Sequence, residues 1–195
     1  TSPSLQTLIL KSTHPTLTVH ALPRLKRVEV HSLDLGEVPG YYEGSSEDYD
    51  DVVDGLAAKT SQLAALSQSG VEVMMHNPED ASFCIRGDPY VYDGMLGALL
   101  PLKHAFSGVR RLEIESGVCC ENELPLSVLF PNVTNLKCVY YPSGSCELPD
   151  LVGSMGKLEH LRLDSRSSVV KEDCCRMCPH ASCSWQASKA FCPFP

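Results

Sequence analysis

An apolar residue, two residues, a second apolar residue, two more, a third, one residue, then a fourth: this spacing recurs along the chain. Four full copies are Leu22-Leu25-Val28-Val30, Phe106-Val109-Leu112-Ile114, Phe130-Val133-Leu136-Cys138 and Met155-Leu158-Leu161-Leu163. A clipped copy, Leu5, Leu8 and Leu10, opens the chain, and the last three full copies start 24 and then 25 residues apart. The residues flanking the third apolar position are polar every time: Arg27 and Glu29, Arg111 and Glu113, Asn135 and Lys137, His160 and Arg162. Alternation of that kind is what a strand with one buried and one wet face requires. It predicts strands over 4–11, 25–31, 109–115, 133–139 and 158–164, with a further one at Val71–Met74.

Other stretches carry a different period. From Asp51 to Gln68 the chain reads as a helix with Val52, Leu56, Leu63 and Leu66 on one side, and Gly70 as its stop. Met95, Leu96, Leu99 and Leu100 suggest a second helix that Pro101 interrupts or restarts. Short return segments are expected around Leu126–Phe130 and Leu148–Met155. Residues 77–90 carry no clear assignment, since Phe83-Cys84-Ile85 follows Val73 too soon for a full repeat. Val28 and Leu112 stand 84 residues apart, room for about two intervening repeats at this period. One strand and one return segment cannot bury an apolar side alone, so neighbouring units must stack into a parallel sheet. The expected class is α/β.

The phrases Leu22-Pro23-Arg24-Leu25-Lys26-Arg27-Val28, Phe130-Pro131-Asn132-Val133-Thr134-Asn135-Leu136 and Met155-Gly156-Lys157-Leu158-Glu159-His160-Leu161 resemble the leucine-rich repeat family. The likeness is to its ribonuclease-inhibitor-like kind, found in F-box and related adaptor proteins, and covers 5–35 and 106–164. It departs from the asparagine-ladder subtypes, because Thr13, Leu33, Gly117, Tyr141 and Arg166 stand where those place asparagine. The resemblance implies a curved solenoid over 1–165 with a parallel β-sheet on the concave face and helices or coils on the convex face. An irregular acidic insertion near 36–51 interrupts it, and a cysteine-rich tail, cap or disordered terminus follows over 166–195. It further implies a monomeric, non-catalytic interaction scaffold, as in the substrate-recognition part of an F-box-type ubiquitin-ligase adaptor, with a protein partner on the concave sheet. Carried onto this chain, the partner-facing rows are Arg27, Arg111, Asn135 and His160; then Glu29, Glu113, Lys137 and Arg162; then His31, Glu115 and Asp164.

Charge narrows the partners. The net charge of -8 argues against nucleic acid, whose phosphates repel such a chain. Glu43, Glu47, Asp48, Asp50, Asp51 and Asp54 supply six of those charges within twelve residues, which reads as a solvated acidic loop. No apolar run approaches a membrane span and no leader opens the chain. Thr1 falls inside the first repeat, as expected of a fragment or a trimmed product.

Ten cysteines permit a disulfide framework. Yet the repeat needs no bridges, and the sequon Asn132-Val133-Thr134 overlaps a core position. The expectation is therefore a mostly reduced chain in the cytoplasm or nucleus. In the tail, Cys175, Cys178, His180 and Cys183 lie within nine residues. They could complete a tetrahedral zinc site, form disulfides or remain free thiols; the spacing matches no common zinc finger. No cofactor is implied otherwise. No nucleophile elbow or phosphate-cradling glycine loop is present, so no enzyme is expected. The alternative function is a small metal- or redox-responsive protein acting through that tail.

Overall fold

The computed structural model describes residues 5–12, 24–37, 47–88, 90–91, 93–118, 126–140, 155–165 and 182–187. It is a mixed α/β fold whose strands lie in two parallel sheets. Strands β1 (Thr7–Leu10), β2 (Arg27–Val30) and β4 (Glu72–Met74) form one, in the order β1-β2-β4. The other contains β3 (Ser32–Glu37), β5 (Ser82–Asp88), β7 (Arg111–Val118), β8 (Asn135–Tyr140), β9 (His160–Ser165) and β10 (Ser182–Ala187). Its order is β10-β9-β8-β7-β5-β3, with the short β6 (Tyr90–Val91) also paired to β7.

The apolar repeat positions align across these strands. Phe83, Leu112, Leu136 and Leu161 share one level, and Ile85, Ile114 and Cys138 another. All seven side chains are buried. The strand starts repeat one hydrogen-bond device: two successive amides donate to one carbonyl of the preceding unit. Arg110 and Arg111 donate to Ala81 O, Thr134 and Asn135 to Arg110 O, and Glu159 and His160 to Thr134 O.

Two features depart from the periodic expectation. Strand β10 adds to the sheet inside the tail, where alternation predicted none; residues 166–181 and 188–195 lie outside the described residues. In the middle, one broken strand stands where about two further repeats were expected. Segment β4 pairs with β2 at the edge of the smaller sheet, and β5 lies between β3 and β7 in the larger. Glu29 pairs with Met74 and Ser32 with Cys84, so an excursion over 75–81 is spliced into that strand. Opposite it the inward phase flips from Val28 and Val30 to Leu33 across His31. That flip divides the sheets.

The rest of the length goes into the helix α1 (Glu47–Gln68), which packs on β4, on α2 (Asp93–Ala98) and on the 3-10 helix Leu100–Phe106. Residues 47–50 thus open the helix where a loop was expected; residues 43–46 lie outside the described residues. At its other end Gly70 has φ +89°. Its amide donates to Ser67 O and that of Val71 to Leu66 O, a Schellman closure with Val71 and Leu66 both buried. Pro101 stands in the first turn of the 3-10 helix, where its missing amide leaves no bond unmade. The short α3 (Leu126–Leu129) forms the expected return before β8.

One core joins both sheets to these returns. At its centre Phe106 meets Phe83 edge-to-face with ring centroids 5.3 Å apart, and Phe130 at 4.9 Å. Asn132 ties three consecutive turns together. Its Nδ2 donates to Ser107 O at 2.8 Å and its Oδ1 accepts from Lys157 Nζ at 2.6 Å. The amide nitrogen of the sequon is therefore engaged in the fold. Asn132→Ala should lower stability by about 1–2 kcal/mol, measured by urea denaturation, because a side-chain bond is lost and a backbone carbonyl loses its donor.

Candidate functional site

The polar face of the larger sheet holds an open groove of about 810 Å³ running from β5 to β9. Its floor is the outward set of the alternation, and parallel register decides which side chains meet. Arg111, Asn135 and His160 lie level on β7, β8 and β9, as do Glu113, Lys137 and Arg162 two residues further on. These are the two expected rows. Lys137 Nζ contacts Glu113 Oε1 across the strands, and Arg162 Nε lies 3.3 Å from Asp164 Oδ1.

The N-terminal members do not join them. Arg27, Glu29 and His31 belong to the smaller sheet, where Arg27 is level with Glu72 and Glu29 with Met74. The residue that reaches the Glu113 level through Cys84 is Ser32. The excursion over 75–81 and the phase flip at His31 cause this three-residue offset. Glu29 is also 5% exposed, with Arg27 Nη1 at 3.5 Å and His31 Nε2 at 3.4 Å from its two oxygens. It is a buried structural carboxylate and offers no surface to a partner. Near it His76 is buried, and desolvation pulls its imidazole below the ordinary value, with a carbonyl contact from Ala105 and the charge of Glu29 opposing. Its ring lies against Gly108, where an added Cβ would sit 2.2 Å from the imidazole; the glycine is what lets the excursion pack.

The third expected row is also broken. The β7–β8 register shifts between Ile114 and Gly117, so Val139 pairs with Gly117 and Glu115 leaves the level of Asp164. Glu115 instead bridges back to Arg86 of β5 at 3.0 Å.

Four groove residues escaped the sequence reading: Asp80, Ser82, Cys84 and Arg86. The signal was present in the alternation of Phe83 and Ile85 with Ser82, Cys84 and Arg86. The half-buried Cys84 thiol is pushed up to about 11, by burial first and by Glu115 next, against the pull of Arg86. It is protonated at neutral pH and unsuited to nucleophilic attack. Asp80 Oδ1 accepts from both the amide and the hydroxyl of Ser82, at 3.1 and 2.6 Å, and these bonds lead in holding its carboxyl below the usual range.

Of the expected zinc ligands, Cys175, Cys178 and His180 lie outside the described residues. Cys183 is in β10, level with Leu161. Among the described residues no three His, Cys, Asp or Glu side chains gather as a metal site, and no helix is long and apolar enough to cross a membrane. Comparison with protein-family models, curated proteins and solved structures finds no match to this chain.

Proposed function

We propose that the chain is a segment of a leucine-rich-repeat solenoid whose sheet forms the concave face, and that it acts as a non-catalytic scaffold docking a protein partner there. The observation that carries this reading is the groove itself. Strands β5, β7, β8 and β9 present successive rows of polar side chains from a rigid sheet over about 810 Å³. A small-molecule pocket has predominantly apolar walls; in this groove polar and charged residues outnumber the apolar ones. The likeness of the repeat phrases to F-box-associated proteins favours one particular scaffold, the substrate-recognition part of a ubiquitin-ligase adaptor.

Exchanging the charges of one cross-strand pair tests the docking face. The double variant Glu113→Lys/Lys137→Glu keeps the pair, so its stability should stay within about 1 kcal/mol of the parent, the scale of an exposed ion pair. Affinity for a partner recovered by affinity capture and measured by calorimetry should fall about tenfold or more, because reversed charges meet unchanged partner groups. Unchanged affinity in that variant, with binding lost on Cys178→Ser, would transfer the function to the cysteine-rich tail.

A further inference from the structure

The four cations of the groove are not equivalent. Arg86, Lys137 and Arg162 are already paired within the sheet, with Glu115, Glu113 and Asp164. Arg111 is exposed and forms no ion pair with any described residue. The carboxylate that feels its charge is Asp80, whose Oδ1 is occupied by Ser82. Glu113, on the same strand, is held by Lys137. Level with Arg111 stand Asn135 and His160, and adjacent parallel strands about 4.8 Å apart make this row roughly 10 Å wide.

A protein segment lying in the groove must cover this row. Removing a guanidinium from water without a counterion is costly, so an occupant that seats stably there has to bring an acceptor. The planar fork of five N–H donors matches a carboxylate in two-point geometry. Beside it, Asn135 and His160 extend the row with an amide and an imidazole.

We propose that the row Arg111–Asn135–His160 is the subsite for an acidic side chain, aspartate or glutamate, of an extended protein segment docked in the groove. This rests on the reading of the groove as the docking face. The paired cations Arg86, Lys137 and Arg162 stand elsewhere in the same groove; Arg111 selects the charge of the segment.

Selection from a random dodecapeptide display library on the purified chain tests both levels. The selected peptides should be enriched in aspartate and glutamate over the input. Resynthesised, they should bind Arg111→Gln about tenfold more weakly or worse, while Lys103→Gln, which removes the same charge from an exposed site outside the groove, should stay within about threefold. Replacing their acidic residues by amides should cause the same loss as Arg111→Gln. Selected peptides without acidic bias that are lost on Lys137→Glu would overturn the acidic subsite and leave the groove standing. Peptides indifferent to all three variants, or no enrichment at all, would overturn subsite and groove together. Phosphoserine versions that bind more than about tenfold tighter than the carboxylate forms would overturn the choice of carboxylate and assign the row to a phosphoryl oxyanion.

Discussion

Phe106→Ala should cost about 3–5 kcal/mol of folding stability, the range for deleting a fully buried aromatic side chain. Phe106 has no measurable exposure, and it closes the 3-10 helix Leu100–Phe106 just ahead of β7. Its ring meets Phe83 of β5 and Phe130, the residue after α3, both edge-to-face. Three successive units therefore share one aromatic contact set, and the return side of the stack is fastened there. Truncation removes the middle ring and leaves a cavity between walls that belong to different units, which cannot close without moving strands. The measurement is a pair of urea melts, with Arg162→Ala as the comparison. Arg162 is exposed beside the core residue Leu161, and its loss should cost well under about 1 kcal/mol. Equal shifts in the two variants would mean that the inside and outside of the sheet have been exchanged. Phe130→Ala combined with Phe106→Ala should fall short of additivity, since the two rings share one contact.

That inside–outside distinction was legible wherever the repeat kept its length. From Phe106 to Asp164 the apolar spacing placed Leu112, Leu136 and Leu161 in the core and put Arg111, Asn135 and His160 on the wet face. The alternation marked the wet face, and the resemblance to leucine-rich repeats implied the rows, of which two are level on β7, β8 and β9. Earlier in the chain the same logic slipped by three residues. An excursion in mid-strand does not change the local alternation at Phe83–Arg86; it changes only which neighbour that segment faces. Pairing is a long-range choice, and nothing near Glu29 announces that Ser32 will reach the level of Glu113. The burial of Glu29 was hidden for the same reason, since His31 and Arg27 close over it at the junction of the two sheets. Strand β10 was illegible for another. Ser-Cys-Ser-Trp-Gln-Ala has cysteine and tryptophan, and no leucine, at the positions level with Leu161 and Leu163, and its pairing with β9 is a matter of backbone register.

Helix α1 leads to the second large effect, which is one of pH. Its inward stripe runs Leu56, Lys59, Thr60, Leu63 and Leu66, so a lysine occupies a position that helical spacing assigns to the core. Lys59 keeps 4% of its surface exposed, and burial pulls its ammonium from the ordinary 10.5 down to about 8. Below pH 8 the site is protonated in both the folded and the unfolded chain, and folding carries the net cost of burying the charge. Between pH 8 and 10.5 the folded chain releases the proton first, so the unfolded state binds more protons and stability rises with pH. Above 10.5 both states are neutral and the cost is gone. At about 1.4 kcal/mol for each tenfold change in proton affinity, the rise is on the order of 3 kcal/mol. Lys59→Met keeps the length of the side chain and removes the charge. It should lack the rise with pH, so the parent should gain about 1–3 kcal/mol on it between pH 7 and about 10.5, whatever the polar contacts of Lys59 contribute at either end. Tyrosines and cysteines titrate in the same window but are common to both chains, so the difference between their urea midpoints isolates Lys59. A difference that stays constant from pH 7 to 10.5 would show that Lys59 reaches water through the helix surface, and that Leu56 and Leu63 alone form the buried stripe.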